Sequence, residues 1–244
     1  GRGQKLTPPP VKVLAQAHGV PVSQPQRLRK DEDAMAWLEA LAPDYLITIA
    51  FGQILPKRVL DGPKLGTVNV HAPLLPEYRG ANPIQWAMLD GKAVTGLTTM
   101  LTDEGVDTGA MLLKAETPID PDETLGELTE RLAAMAGPLL LETLARHSEG
   151  QLPPTPQDDA RATHAPKLAE ADMPIRLERP ATEVVNQIRA QTPWPGAALY
   201  WQGERFKIAR AYRFAAFPAQ SEAFVKEAEP GRILAIMKEG LLVQ

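Results

Sequence analysis

The segment with the clearest structural signal is TVNVHAPLLPEYRGANPI, residues 67–84. Side chains alternate between the two faces of a strand, so Asn69 and His71 share one face and the intervening valines occupy the other. Pro73 and Pro76 end the strand, because proline has no N–H to donate to a sheet. An amide and an imidazole therefore lie side by side where a strand ends, which is where open α/β sheets bind their substrates.

Strand patterns alternate with helix patterns on both sides of this segment. Apolar runs predict strands at residues 45–50, 97–101 and 111–115, and a shorter one at 20–22. Apolar spacing and end signals predict helices at residues 11–18, 31–41, 83–89 and 125–147. Alternation of this kind indicates an α/β domain with a largely parallel sheet.

The composition changes at residues 151–166, where proline, aspartate and small residues predict a linker. We therefore expect a catalytic domain at 1–150, this linker, and a second domain at 167–244. In the second domain, a helix at 181–191 and strands at 197–201, 205–213 and 232–237 suggest a small OB-like β-barrel. Trp194 is expected to be a packing anchor. Both ends of the chain look internal to a domain, so we expect the barrel to be truncated here.

Composition excludes several classes of function. The 244 residues contain no cysteine, which excludes disulfides, thiolate nucleophiles and cysteine metal sites. The four histidines are scattered, so no metal site is expected. A net charge of −4 gives no global nucleic-acid footprint, and contact with nucleic acid would need a local basic patch. No apolar run approaches the roughly 20 residues of a membrane span, so we expect a cytoplasmic protein.

A second polar segment, DEGVDTG at residues 103–109, can place a carboxylate near the strand end. The amide of Asn69 and a protonated His71 are donors that could stabilise an oxyanion. Asp107 beside the imidazole would favour its charged form and could collect a proton. No serine or cysteine lies near them, which argues against an acyl-enzyme. The set suits direct transfer of an acyl or formyl group, although each motif alone is more often structural.

Taken together, these segments resemble the methionyl-tRNA formyltransferases, within the folate-dependent formyltransferase superfamily. The resemblance rests on Asn-x-His followed by Leu-Leu-Pro-x-x-Arg-Gly-x-x-Pro-Ile at 69–84, Asp-Thr-Gly at 107–109, the loop at 51–56, and Pro-Trp-Pro-Gly-Ala at 193–197. The loop GRGQKL at 1–6 and the second domain favour the tRNA branch. The resemblance implies a Rossmann-like catalytic domain whose N-terminal strands are missing from this chain. Pro73 departs from the family, which usually has serine there.

The resemblance also implies substrates and site residues. The formyl donor would be 10-formyltetrahydrofolate and the acceptor the methionine amine of initiator Met-tRNA, for translation initiation, with a monomeric enzyme. Asn69, His71 and Asp107 would be catalytic. The folate site would be lined by Phe51, Gly52, Gln53, Ile54, Pro73, Leu74, Leu75, Pro76 and Asp103. Arg2 and Lys5 would approach the tRNA acceptor end, and charge and position add Arg205, Lys207 and Arg210 as tRNA contacts.

Three other functions remain open from the sequence. A formyltransferase acting on a sugar nucleotide or another amine would carry the same catalytic residues but would accept a different substrate. A catalytically silent folate- or RNA-binding protein would bind without transfer and would have no need of all three polar residues. A hydrolase would release formate from the donor without any acceptor.

Overall fold

The computed structural model describes residues 7–213, 229–237 and 240–244. Arg2 and Lys5 lie outside these ranges. Helices occupy Pro10–Ala17 (α1), Glu32–Ala40 (α2), Lys57–Leu60 (α3), Pro83–Leu89 (α4), Leu125–Ser148 (α5) and Ala181–Ala190 (α6). Strands occupy Leu46–Ile49 (β1), Thr67–His71 (β2), Arg79–Gly80 (β3), Val94–Leu101 (β4), Met111–Pro118 (β5), His164–Ala165 (β6), Ala198–Trp201 (β7), Glu204–Lys207 (β8), Ile233–Met237 (β9) and Gly240–Val243 (β10). The chain divides into two compact units, residues 1–46 with 52–66 and residues 47–51 with 67–244.

The first unit has a small apolar cluster, and exposed ion pairs join Arg58 to Glu32 and Glu39. Asp31 caps α2 by accepting a 2.9 Å hydrogen bond from the Ala34 N–H, which satisfies one of the free donors at the helix start. Leu28, Met35 and Leu60 are buried in the cluster. No strand forms at residues 20–22, because this short segment finds no pairing partner, so that prediction is wrong.

The second unit is built on a four-stranded sheet in the order β1-β2-β4-β5. Strand β2 pairs antiparallel with β4, and β4 pairs antiparallel with β5. The prediction of a largely parallel sheet is therefore wrong for these pairings. The connection from β4 to β5 runs only from residue 102 to 110, whereas a parallel crossover needs about a dozen residues or more. The parallel sheet was predicted from the alternation of helices and strands alone, without regard to the length of this connection.

Helix α5 covers the sheet with an apolar face. Its capping box uses the Thr124 side chain and Glu127, which satisfies donors at both ends of the first turn. Leu128 and Leu132 are 0% and 2% exposed in the main core, and each contributes about 1.5–3 kcal/mol by burial. The Thr143 hydroxyl meets that of Thr99 on β4 at 2.9 Å, so the helix is fixed over the centre of the sheet. None of the helices in the described ranges is long and apolar enough to cross a membrane.

The described part of residues 167–244 contains two hairpins. Strand β7 pairs with β8 and β9 with β10, both antiparallel. They form separate two-stranded sheets and close no barrel among the described residues, so the OB-like barrel stays a prediction. Trp194 is 68% exposed, so the expectation that it anchors packing is wrong, because the turn directs its ring outward.

The segment at 151–166 makes specific contacts with the residues that follow β2. Strand β6 pairs in parallel with β3. The backbone N–H of Arg79 donates to the Thr163 carbonyl at 2.9 Å. The Thr163 hydroxyl accepts a 2.8 Å hydrogen bond from the Tyr78 N–H. This segment therefore shapes the chain immediately after β2, where the candidate site lies.

Candidate active site

Strand β2 carries Asn69 and His71 on one face, opposite Met100 and Thr98 of β4. The Thr48 hydroxyl of β1 donates a 3.0 Å hydrogen bond to Asn69 Oδ1. Because this bond occupies the amide oxygen, the Nδ2 group of Asn69 is directed away from Thr48. An oriented amide N–H is a donor that can polarise a carbonyl oxygen and stabilise an oxyanion.

His71 is only 6% exposed, and its two ring nitrogens have different surroundings. Nε2 lies 3.2 Å from the Tyr78 carbonyl oxygen. Because a carbonyl oxygen only accepts, Nε2 carries the proton and Nδ1 of the neutral ring carries the lone pair. Nδ1 lies 3.6 Å from Asp107 Oδ1. It is therefore the ring atom that can take up a proton beside a carboxylate.

The charge of His71 differs from the sequence-based expectation. Burial lowers the pKa of His71 below its ordinary value, and the opposing effects of Asp107 and of the Tyr78 carbonyl do not reverse this. Asp107 favours the charged form of the imidazole, as expected, but desolvation outweighs this attraction, so the expectation of a protonated His71 is wrong. In the neutral ring, Nδ1 is a proton acceptor, and Nδ1 can donate only after it has gained a proton.

Asp107 lies on the loop between β4 and β5, with the left-handed backbone angle φ +54°. The Gly80 N–H donates a 2.9 Å hydrogen bond to Asp107 Oδ2, and Oδ1 faces His71. The loop thus brings the carboxylate to the end of β2, as the sequence predicts. Asp103, predicted to contact folate, uses Oδ1 to accept hydrogen bonds of 3.0 Å from the Gly105 N–H and 2.7 Å from the Thr108 hydroxyl. That carboxylate oxygen therefore stabilises the loop.

The other residues predicted to line the folate site divide by exposure. Pro73, Leu75 and Pro76 are buried and Leu74 is half-buried. The Thr98 hydroxyl accepts from the Leu75 N–H at 3.1 Å and donates to the Pro73 carbonyl at 3.3 Å. Buried side chains shape this turn from inside, so any contact with a ligand would come from its backbone or from Leu74.

The loop at 51–54 has a mixed environment. Phe51 is 43% exposed and Ile54 is 69% exposed. Gly52 has φ +69°, a conformation that favours glycine. Gln53 uses its amide oxygen to accept a 3.0 Å hydrogen bond from the Leu28 N–H. That oxygen is therefore engaged inside the first unit.

The three predicted tRNA contacts in residues 167–244 are exposed, but their surroundings differ. Arg205 and Lys207 lie two apart on β8 and share one face of that strand. Arg210 instead forms an ion pair with Glu127 at the start of α5. The hydrogen bonds of the capping box and the pairing with Arg210 lower the pKa of Glu127 to about 2. Arg210 therefore has a carboxylate partner already.

Three residues near the site had no predicted role: Thr48, Gln157 and Arg79, the arginine of the Arg-Gly motif. Thr48 carries a hydroxyl group in the otherwise apolar strand predicted at 45–50. That polar group among apolar neighbours is the one local signal that could have indicated its role. Arg79 is 6% exposed, which no local pattern indicates. Gln157 lies in the segment predicted as a linker. Among the described residues, no group of three or more potential ligands could hold a metal.

Replacing Thr48 by valine is expected to lower kcat by roughly 3- to 10-fold, since the lost hydrogen bond is worth about 0.5–1.5 kcal/mol. The amide of Asn69 could then rotate. Thr48→Ser keeps the hydroxyl and should retain near-normal kcat. Steady-state kinetics on both variants checks this, and equal kcat values for valine and serine would contradict the role of Thr48.

Solved structures share this fold at low sequence identity. The structure of HypX from Aquifex aeolicus in complex with tetrahydrofolic acid has a TM-score of 0.66 and 21% identity, over 87% of this chain and 36% of that chain. A sugar N-formyltransferase from Shewanella sp. FDAARGOS_354 has a TM-score of 0.63 and 20% identity, over 77% of this chain and 76% of that one. At such identities, the likeness concerns the fold alone.

Sequence comparisons are more specific. Residues 1–144 match the formyl transferase family model, and residues 167–244 match the model of the formyl transferase C-terminal domain. The methionyl-tRNA formyltransferase of Synechococcus sp. (strain JA-3-3Ab) is 51% identical over all of this chain and 74% of its own length. That of Geobacter sulfurreducens is 44% identical, over 100% of this chain and 73% of its own. The chain therefore belongs to the formyl transferase family, and within it to the methionyl-tRNA formyltransferases.

Proposed function

We propose that this protein transfers the formyl group of 10-formyltetrahydrofolate to the amino group of methionine on initiator tRNA, for translation initiation in the cytoplasm. The observation that supports this most is the grouping of an oriented amide, a buried neutral imidazole and a carboxylate at the end of β2. Family membership supplies the donor and the acceptor. We expect a monomer, which light scattering would test.

In the proposed reaction, the methionine nitrogen attacks the formyl carbon and forms the new C–N bond. The Asn69 amide donates to the formyl oxygen as negative charge develops there. His71 Nδ1, supported by Asp107, takes the proton that the amine loses. The C–N10 bond to tetrahydrofolate then breaks, and the proton passes to the N10 leaving group. No covalent enzyme intermediate is required.

The test is formyl transfer from 10-formyltetrahydrofolate by the full-length protein, with four acceptor conditions in parallel. These are Met-charged initiator tRNA, the same tRNA uncharged, an amino-sugar nucleotide, and no acceptor. Formyl-methionine formed only with the charged tRNA supports the proposal. Transfer to the sugar nucleotide, or formate release without an acceptor, would replace it with the corresponding alternative function. Folate binding without any turnover would indicate a silent binding protein.

We further propose that Arg205 and Lys207 contact the tRNA backbone. Their exposure and shared face on β8 support this, whereas the pairing with Glu127 makes Arg210 the weaker candidate. Replacing both by alanine should raise KM for Met-tRNA with little change in kcat. It should also reduce the salt slope of binding by about one per lost phosphate contact. Arg146→Ala on α5 is the control, and an equal response there would contradict the assignment.

A further inference from the structure

The loop that carries Asp107 is held by a side chain from the segment at 151–166. Gln157 Nε2 donates hydrogen bonds of 2.8 Å to the Asp107 carbonyl and 2.8 Å to the Gly109 carbonyl. A single amide group therefore fixes two carbonyl oxygens of the turn. These contacts lie on the backbone, on either side of Thr108, while the carboxylate of Asp107 remains directed to Gly80 and His71.

This loop needs such an anchor. A non-glycine residue in the left-handed conformation costs roughly 1–2 kcal/mol, and Asp107 has φ +54°. A cavity of about 650 Å³ lies beside the loop and is lined by Thr108, Gly109 and Gln157, among others. Space is available on this side of the loop, so packing restrains the turn only on its other side, where Gly109 lies against the end of β4. On the side that faces the cavity, the directional hydrogen bonds of Gln157 restrain the turn.

The orientation of Gln157 is itself determined by a buried cation. Arg79 donates to Gln157 Oε1 from Nε at 3.0 Å and from a terminal nitrogen at 2.8 Å. The same guanidinium pairs with Asp159 at 2.8 Å. Because Arg79 can only donate, it must face the amide oxygen, so the amide nitrogen must face the loop. Arg79 lies on β3, next to Gly80, whose N–H holds the Asp107 carboxylate.

We infer that Gln157, oriented by Arg79, is a positioning residue that holds the Asp107 carboxylate beside His71 Nδ1. The inference rests on the proposed function of Asp107 and adds a residue from outside the catalytic motifs. Gln157 contacts the backbone of the loop and needs no contact with either substrate. Its expected effect is on the rate of proton transfer, with little effect on donor binding.

The sharpest test is Gln157→Glu. The glutamate has the same shape and keeps an oxygen toward Arg79, but it presents a carboxylate oxygen to two carbonyl oxygens that only accept. Both loop bonds are lost, and the turn is free to relax. We expect kcat to fall roughly 100-fold, as for a misplacement of about 1 Å at a catalytic group. KM for 10-formyltetrahydrofolate should change by less than about threefold, and the acid limb of the kcat–pH profile should shift.

Two further variants separate positioning from folding. Gln187 also bridges two backbone carbonyls, those of Asp172 and Pro174, at 3.0 and 2.9 Å. Gln187→Glu is therefore the matched control, expected to lower stability while leaving the pH profile unchanged. Gln157→Met removes the donors without adding a charge, and it should show the same fall in kcat if Gln157→Glu does not fold.

The outcomes distinguish this inference from the proposed function. An inactive wild-type protein, or a His71→Ala variant with full activity, would overturn the proposed function. If the wild type is active and Gln157→Met or Gln157→Glu has a normal kcat and pH profile, the positioning role is overturned and the proposed function is not. Equal losses of kcat in the Gln157 and Gln187 variants would also overturn it. A loss of kcat confined to the Gln157 variants, with a shifted acid limb, would support it.

Discussion

Replacement of His71 by alanine is expected to lower kcat for formyl transfer by two to four orders of magnitude, the range typical of a positioned general base. The reason lies in the geometry of the ring. The Tyr78 carbonyl holds Nε2–H, and Nδ1 faces Asp107, so no other nitrogen at this place can accept the proton of the amine. Folate affinity should change little. Single-turnover kinetics and equilibrium binding of the donor measure the two effects separately.

The pH dependence gives a second measure of the same residue. His71 must be neutral to act as a base, so activity is retained above its pKa and lost as the pH falls through it. Because burial lowers that pKa, the acid limb of kcat/KM should lie below the ordinary histidine value of about 6.5. His18→Ala, an exposed histidine after α1, should keep the wild-type profile. An acid limb that persists in His71→Ala would show that another group controls it.

Replacement of Gly109 by alanine is expected to destabilise the protein by about 3 kcal/mol and to abolish most of the activity. A Cβ at this position would lie 1.7 Å from the Leu101 carbonyl oxygen, far inside any real contact. The obstacle is backbone at the end of β4, so it cannot rotate away. The strand end and the loop would have to separate, moving Asp107 away from His71. Chemical denaturation and kcat on the same preparation measure both effects.

Gly137 provides the control for that substitution. It lies within α5, and a Cβ there would meet nothing outside its own helix within 4 Å. Gly137→Ala should therefore change the free energy of unfolding far less than Gly109→Ala does, because the helix preference of alanine is opposed only by the contact of its Cβ with the ring of Pro138. Similar unfolding midpoints for the two variants would contradict the steric argument at Gly109.

Local signals predicted much of the fold. The predicted first and last residues of β2 and α4 are both confirmed. The polar pair and the following proline mark the end of β2, and a proline marks the start of α4. Helix α5 is confirmed to within one residue, since its amphipathic pattern and Gly150, which bounds it, are local features. The pairing direction of β4 and β5 was missed, because direction depends on connection length and on partners distant in sequence.

The candidate site shows the same division. Asn69 and His71 could be placed together from strand alternation, because both lie on one strand. The approach of Asp107 was an expectation from a turn signal. The role of Gln157 could not be predicted, because its partners lie about 50 and 80 residues away, and nothing in a proline-rich stretch indicates which side chain points inward. The charge of His71 was predicted wrongly, since burial is a property of the folded chain.

The pairing of β6 with β3 bears on how this protein can be divided experimentally. A fragment that ends at residue 150 follows the domain boundary expected from composition, but it would lack β6, the strand that pairs with Arg79–Gly80. The N–H that binds the Asp107 carboxylate belongs to Gly80, so removing β6 would weaken this hydrogen bond. A shortened protein that keeps this pairing must therefore extend at least to Ala165. Replacing residues 151–166 by an artificial linker would remove β6 and is expected to lower activity.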